Sequence, residues 1–229
     1  MVRFEDFWLA DQLNSVVIFL LDLQYTFCYV TYGQFRDSGN ATCRSNRGVL
    51  RPILAALPAW IRFAQCIRRY RDTKKAHHLT NAGKYFSSMF VTVMSSWTSA
   101  QREHGGEVGT DDYVTALFSV WMVAAVVSTC YSLYWDLTHD WGLFPKDPHP
   151  KYRFLRKRLL YDPKLYYIAI ALDTVLRFLW TLSVSVGFFG SFFSDGLVAI
   201  LALSEMFRRF MWNFFRLENE HLYNCGEFR

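Results

Sequence analysis

The sequence has few cysteines and lacks the spacings by which most enzyme sites are recognised. Its five cysteines include no CxxC pair, so they indicate neither a zinc site nor a disulfide framework. They are Cys28, Cys43, Cys66, Cys130 and Cys225. No HExxH or GxSxG spacing occurs, and TNAGK at 80–84 is not a Walker A loop because His78 stands where that motif requires glycine. We therefore predict no catalytic metal, no cofactor and no ATP hydrolysis.

The chain also lacks repeats, low-complexity tracts and a recognisable signal peptide. Phe4, Phe7 and Trp8 follow Met1 without a basic region or a small-residue cleavage site, so we expect no cleaved leader. Hydrophobic residues instead make up 52% of the 229 residues and aromatics 18%. The net charge is +5, but the basic residues cluster between apolar segments. This distribution favours a membrane topology signal over a nucleic-acid footprint.

Six apolar segments are long enough to cross a bilayer, which takes roughly 20 residues as a helix. They cover residues 8–31, 50–67, 84–100, 113–135, 165–190 and 195–215. The fourth carries no charge, and Pro58 predicts a kink in the second. The pattern predicts an all-α polytopic membrane protein, a bundle of about six transmembrane helices.

Loop charges orient this bundle. Segments 68–84 and 146–164 are rich in Lys and Arg, whereas loop 101–112 is acidic. Because cytoplasmic loops carry the Lys/Arg excess, both basic loops and both termini are predicted to face the cytoplasm. Loop 32–49 then lies outside, where it carries Arg36, Arg44 and Arg47 against the general bias. The glycosylation sequon at Asn40 falls in this loop, as the topology requires.

Apart from Asp195 at the border of the sixth segment, the last two segments contain five acidic or basic residues: Asp173, Arg177, Glu205, Arg208 and Arg209. Each charge at mid-bilayer costs on the order of 2.5–3.5 kcal/mol, so these side chains are expected to face one another or water. One interpretation is a set of intrahelical salt bridges, Asp173 to Arg177 and Glu205 to Arg208 or Arg209. The other is that the surplus arginine binds a tetrahedral oxyanion such as phosphate or sulfate. Both remain open at this point.

Other polar residues have equally open roles. Lys84 with a cap at Thr80 or Asn81 predicts an anion site at a helix N-terminus, although a snorkelling lysine explains it nearly as well. Asp136 and Asp140 are interpreted as partners of neighbouring basic residues rather than as a cation site or an acid–base pair. Asp11 is predicted to pair with an arginine of the pore. His77 and His78 are predicted to lie in a solvated turn, and Trp180 is interpreted either as a constriction of the path or as ordinary packing.

Several motifs resemble the EXS domain of the eukaryotic phosphate-exporter family, which includes the xenotropic and polytropic retrovirus receptor, plant phosphate exporters and fungal relatives. They are FWLADQLNS, PAWIRFAQCIRRYRDTKK, NAGKY, YWDLTHDWGLF, LRFLWT and FRRFMWNFFRLENEHLYNCGEFR, in order along nearly the whole chain. The resemblance implies a phosphate-binding set of Arg51, Lys75, Lys84, Arg177, Arg208 and Arg209. It also implies supporting acids at Asp11, Asp136, Asp140 and Glu205, a gate at Trp180 and a structural role for Arg62. Asp173 is added to the supporting acids because it lies four residues before Arg177 on the same helical face.

The resemblance further implies export of inorganic phosphate across the plasma membrane. We expect 1–229 to be an EXS transmembrane domain, a piece of a longer protein with an SPX domain that senses inositol pyrophosphates and with earlier membrane helices. A natural short form that recycles phosphate in the Golgi is the alternative. Two rivals remain: a non-transporting receptor or scaffold, and a membrane enzyme acting on phosphorylated lipids through Asp136 and Asp140. The expected partners are phosphate and the lipid bilayer, with a homodimer left open and no nucleic acid.

Overall fold

The computed structural model describes residues 3–31, 50–104, 110–187 and 194–224, and the regular secondary structure of these residues is helical, with no strand among them. The first four helices are α1 (Phe4–Ser15), α2 (Val17–Thr31), α3 (Leu50–Thr73) and α4 (His77–His104). The next is α5 (Thr110–Trp135), which continues into a π-helical turn, Asp136–Asp140. The last three are α6 (Pro163–Phe178), α7 (Trp180–Gly187) and α8 (Ser194–Tyr223).

The six predicted segments all fall on these helices, and the chain is an all-α polytopic membrane protein. Two of the described helical stretches, Asp112–Asp140 and Pro163–Leu182, are both long and apolar enough to span a bilayer. The α1–α2 pair meets the same requirement as a third, bent span. Helices α3, α4 and α8 are 24, 28 and 30 residues long, so they exceed the roughly 20 residues that a span needs. Their greater polarity comes from the charged residues within them.

Two of the predicted spans are interrupted. The first breaks at Val16, where α1 and α2 meet at an angle of 66°. The fifth breaks at Leu179, whose amide bonds to the Leu176 carbonyl at 3.4 Å, between Arg177 and Trp180. By contrast, α3 continues through Pro58 as one helix. Breaks inside membrane helices leave backbone groups unpaired, so they are tolerated where protein or water satisfies them.

The turn between α3 and α4 changes the interpretation of Lys84. Lys74 has a φ of 58° and donates its amide to the Tyr70 carbonyl at 2.8 Å, which ends α3. Helix α4 then begins at His77, so Thr80, Asn81 and Lys84 lie within it. The prediction of a helix N-terminus at Lys84 is therefore wrong, because the tight turn starts the helix two turns earlier.

The chain divides into two compact units, residues 1–128 and 129–229, and the division falls within α5. In the first unit, Cys66 of α3 packs against Ala82 and Tyr85 of α4. In the second unit the core consists of seven buried residues with partly buried neighbours: Trp141, Leu143, Leu155, Tyr166, Ala169, Trp212 and Phe215.

Three of those core residues belong to the segment 141–162, called here the 141–162 loop. Residues 142–164 are rich in proline and in basic residues and would be expected to form a hydrophilic connector, but Trp141, Leu143 and Leu155 are buried. Gly142 has a φ of 63°, and a Cβ atom there would lie 2.7 Å from the Asn219 Oδ1 atom. Only glycine satisfies both the backbone angle and this close approach. The loop is therefore a folded part of the second unit.

Candidate functional site

A buried ionic cluster connects α8, α6 and the π-helical turn in the second unit. Its members are Asp136, Asp173, Arg177, Glu205 and Arg208, and it is called here the arginine–carboxylate cluster. Asp136 opens the π-helical turn, which is closed by an i to i+5 bond from the Trp141 amide to the Asp136 carbonyl at 2.9 Å. Such turns are rare and occur frequently at functional sites. The Asp136 carboxylate of this turn links α6 and α8 by pairing with Arg177 and Arg208.

Arg208 lies at the centre of this cluster and is buried, with 1% of its surface exposed. Its Nε and Nη2 atoms donate to the two carboxylate oxygens of Glu205 at 2.8 and 2.6 Å. Its Nη1 atom donates to Asp136 at 3.2 Å and to Asp173 at 3.1 Å. The guanidinium thus holds one carboxylate in the bidentate geometry that also suits a phosphate oxygen pair.

Arg177 is the more accessible arginine of the cluster, with 15% of its side chain exposed. Its Nη2 atom donates to Asp136. Its Nε atom is 3.9 Å from the Asp173 Oδ2 atom and makes no hydrogen bond among the described residues. Arg177 therefore retains an unused donor that is buried within the cluster.

The two intrahelical pairs predicted from spacing are present, Asp173 with Arg177 and Glu205 with Arg208. The predicted surplus of arginine is wrong for this cluster, because Asp136 joins from the π-helical turn. Two guanidinium groups face three carboxylates, a formal charge of −1. The surplus was inferred by counting ionisable residues within the last two apolar segments, and that count omits an acid from another helix.

The cluster has a dry end and an accessible end. Asp136, Asp173 and Arg208 are at most 2% exposed. The Glu205 side chain is 36% exposed and that of Arg177 is 15% exposed. A ligand approaching this cluster would therefore meet Glu205 and Arg177 first.

Two further predicted residues lie beside the cluster in sequence. The Arg209 guanidinium is 4.6 Å from the Trp212 ring centroid, a cation–π distance. The Trp180 indole Nε1 donates to the Thr129 hydroxyl at 3.1 Å. Trp180 begins α7 immediately after the break that follows Arg177. Its role as a gate stays a prediction.

A second pairing of buried charges lies in the first unit. Arg62 of α3 is 2.7 Å from the Asp11 carboxylate, and the Tyr85 hydroxyl donates to the same carboxylate oxygen at 2.6 Å. The guanidinium also lies 4.0 Å from the Phe7 ring centroid. The predicted arginine partner of Asp11 is thus Arg62, the residue to which the resemblance gave a structural role.

The other predicted phosphate-contacting residues of the first unit differ in burial. Lys84 is buried in α4, with its ammonium 4.5 Å from the Tyr85 ring centroid. Lys75 is exposed in the turn before α4, and Arg51 is half-buried in the first turn of α3. Of the pair predicted to be solvated, His78 is buried because α4 begins there, and its ring centroid lies 3.9 Å from that of His77. Asn40 lies outside the described residues.

A third ionic group, which the sequence did not predict, joins the 141–162 loop to the end of α8. Arg156, Tyr166, Glu218 and Asn219 form it, and it is called here the loop-anchoring cluster. Arg156 pairs with Glu218 at 2.6 Å and donates to Asn219 at 2.7 Å and to the Trp141 carbonyl at 2.8 Å. Glu218 also accepts from the Tyr166 hydroxyl at 2.5 Å and from the Leu160 amide at 2.8 Å.

Two members of this cluster, Glu218 and Asn219, lie in the sequence RLENE at 216–220, which entered the sequence analysis only as part of a family motif. Arg216, Glu218 and Glu220 follow the apolar segment 195–215, and the sequence predicted no partners for them. In the structure all three are buried. Arg216 pairs with Glu220 at 3.0 Å and lies 3.7 Å from Asp140. The interpretation of Asp136 and Asp140 as partners of basic residues is thus confirmed.

Cys28 is disulfide-bonded, a bond that the cysteine spacing did not indicate. It lies three residues before the end of α2, next to the loop predicted to face outside. Cys66 and Cys130 are free.

Long helices, broken spans and charges buried between helices are typical of membrane proteins that pass ions or polar solutes. The sequence matches the EXS family over residues 1–222, and the chain belongs to that family. It is 45% identical over 239 residues to the xenotropic and polytropic retrovirus receptor 1 homolog of Xenopus laevis. It is 44% identical over 242 residues to human solute carrier family 53 member 1. Both alignments cover the whole chain but 34% of the relative, so the chain spans about a third of their length. The names of these two relatives describe a receptor and a solute carrier, not an enzyme.

Proposed function

We propose that this chain forms the membrane path of a phosphate exporter and that Arg177 and Arg208 bind the ion within it. The arginine–carboxylate cluster carries the proposal. A membrane protein does not bury five charges between helices without a compensating role or close pairing. The solute-carrier names of the relatives and the bidentate geometry at Arg208 both support a path for an oxyanion.

In this arrangement the cluster does not admit an anion, because its formal charge is −1. In addition, the Nε and Nη2 donors of Arg208 are already bonded to Glu205. We infer that phosphate enters by exchange with Glu205. That carboxylate is the most exposed of the three and sits on the accessible side. Moving it into water costs less than moving Asp136 or Asp173, which are buried. Phosphate oxygens would then accept the two hydrogen bonds that Glu205 releases.

Arg177 and Arg209 would complete the site in this state. The Arg177 Nε atom is buried and makes no hydrogen bond among the described residues, so it has a donor to offer to a phosphate oxygen once Glu205 has moved away. Arg209 follows Arg208 directly in the sequence and is partly buried, and it is proposed as the third arginine that contacts the ion. Trp180, which follows the helix break after Arg177, would close the path when no ion is bound.

In the first unit, Arg51, Lys75 and Lys84 are proposed to attract and pass phosphate, and Asp11 to hold Arg62 in place. Lys75 lies in the basic segment 68–84, which the loop charges assign to the cytoplasm. The Cys28 disulfide supports the same topology, because disulfides persist in oxidising compartments rather than in the cytosol. An inside-negative potential expels an anion with about 2.3 kcal/mol per charge per 100 mV, so no other energy source is required.

The test is phosphate efflux from liposomes that contain the purified chain. Arg177→Ala should lower the initial efflux rate by about tenfold or more, which corresponds to about 1.4 kcal/mol. Arg177→Lys should recover part of it, because lysine keeps the charge but not the planar fork. The matched control is Arg71→Ala, which removes an exposed arginine at the end of α3 and should leave efflux unchanged.

Two results would contradict the proposal. Equal efflux from Arg177→Ala and wild-type vesicles would show that the ion does not use this cluster. Wild-type vesicles that release phosphate no faster than empty ones would favour the receptor or scaffold alternative. Metal-dependent product formation from phosphorylated lipids would instead favour the enzyme alternative, in which Asp136 and Asp140 are catalytic. We favour the plasma membrane over the Golgi, and localisation of the tagged chain in cells distinguishes the two.

A further inference from the structure

The 141–162 loop has two faces of opposite character. Its inner face is fixed to the core, where Leu143, Leu155 and Arg156 are buried. Its outer face presents two phenylalanines, Phe144 and Phe154, which are 43% and 41% exposed. Their rings are in contact, tilted by 37° with centroids 4.9 Å apart, and the Phe144 amide donates to the Phe154 carbonyl at 2.8 Å. The ring pair is thus a defined surface feature, not part of the core.

Both phenylalanines adopt a backbone conformation that this residue type rarely occupies. Phe144 has a φ of 56° and Phe154 a φ of 69°. In this region the Cβ atom crowds the following carbonyl oxygen, so bulky residues are uncommon there. Strained positions persist where the surrounding structure requires them and cluster at functional surfaces. Burial in the protein does not explain these rings, since both remain exposed.

The ring pair lies in a segment rich in exposed basic residues. Six basic residues of the loop and the start of α6 are exposed: Lys146, Lys151, Arg153, Lys157, Arg158 and Lys164. The exposed acids of this segment are Asp147, which pairs with Lys157, and Asp162, which caps α6 by accepting from the Lys164 amide. The Arg153 guanidinium lies 5.0 Å from the Phe154 ring centroid. The exposed surface of this segment therefore combines two aromatic rings with an excess of basic side chains.

Chain connectivity places this face beside the bilayer. The two clearest membrane spans, Asp112–Asp140 and Pro163–Leu182, end and begin at the borders of the loop. Phe144 follows the first span by four residues, so its Cα lies within about 14 Å of that span's end. Both ends of the loop are thus tied to one membrane surface. The nearest apolar phase available to the two rings is the boundary between lipid headgroups and acyl chains.

We propose that the outer face of the 141–162 loop docks on anionic lipid headgroups of the adjacent leaflet. Phe144 and Phe154 insert at the headgroup boundary, where aromatic side chains are favoured. The surrounding cations contact the negatively charged headgroups, which attract basic segments near the cytoplasmic surface. Because Arg156 and Glu218 tie the loop to α8, lipid docking also fixes the end of that helix.

The test is hydrogen exchange of the full chain in two kinds of nanodisc, one of phosphatidylcholine alone and one with phosphatidylserine added. Peptides covering residues 144–154 should exchange several-fold more slowly with phosphatidylserine present. Phe144→Gly together with Phe154→Gly should abolish this difference. Glycine adopts both positive φ angles readily, so these changes remove the rings without forcing the backbone to move. Unchanged exchange in α3 and α4 would verify that the fold is intact.

A second variant separates charge from ring insertion. Lys146→Gln with Arg153→Gln should remove most of the phosphatidylserine effect and leave exchange in phosphatidylcholine unaltered. The matched control, Phe90→Gly, removes an exposed phenylalanine of α4 and should keep the phosphatidylserine effect on residues 144–154. Equal exchange in the two lipids for the wild-type chain would overturn the proposal. So would protection by polyglutamate in detergent that phosphatidylserine does not reproduce, because that result would assign the face to an acidic protein.

Discussion

The arginine–carboxylate cluster and the loop-anchoring cluster both bury arginine beside α8, yet their partners differ. Around Arg208, every described side-chain partner is a carboxylate. Around Arg156, the partners include the Trp141 carbonyl and Asn219, while Glu218 holds the Leu160 amide. A charge tied to backbone groups fixes the path of the chain. A charge tied only to other charges can change partners, which is the property that an ion path requires.

The largest expected effect is on the loop-anchoring cluster. Glu218→Ala should lower the free energy of unfolding by about 3–5 kcal/mol, because it leaves the buried Arg156 without its carboxylate. The control in the same loop is Asp147→Ala, which removes an exposed partner of Lys157. It should cost at most about 1 kcal/mol. Thermal unfolding in detergent, followed by circular dichroism, measures both, and equal shifts would contradict the distinction between the two clusters.

A smaller loss is expected at the close approach between the loop and α8. Gly142→Ala should cost about 1–3 kcal/mol, because alanine is strained at a φ of 63°. Its Cβ would also meet the Asn219 Oδ1 atom at 2.7 Å. Gly196→Ala is the control, since a Cβ there meets nothing within 4 Å. The same thermal measurement applies, and a Gly142→Ala protein as stable as wild type would show that the loop can shift freely.

The smallest effect concerns the carboxylate that we expect phosphate to displace. Glu205→Gln removes one negative charge and weakens the two hydrogen bonds between Arg208 and this side chain. The phosphate concentration that half-saturates efflux should therefore fall about tenfold, or about 1.4 kcal/mol. Glu5→Gln, an exposed acid in the first turn of α1, should leave that concentration unchanged. A higher half-saturating concentration for Glu205→Gln would mean that Glu205 helps to bind the ion instead of competing with it.

Much of the helical framework followed from hydrophobic runs, and the reason is physical. Each apolar stretch near 20 residues must satisfy its backbone internally, so it forms a helix wherever it lies in the membrane. The interruptions at Val16 and Leu179 were not predicted, since neither site carries a glycine or proline. The start of α4 was also placed too late, because a positive φ at Lys74 gives no strong local signal in a lysine-rich turn.

The amino-acid order by itself determined which charges lie within helices and which pairs share a helical face. Asp173 with Arg177 and Glu205 with Arg208 follow from spacings of four and three residues. Only the tertiary structure decided that Asp136 joins them, that Asp11 meets Arg62, and that Arg156 meets Glu218. Contacts within one helix are set by its fixed pitch, whereas contacts between helices depend on how their surfaces pack. The balance of charge in the candidate site is a sum over several helices, and no single segment of sequence contains it.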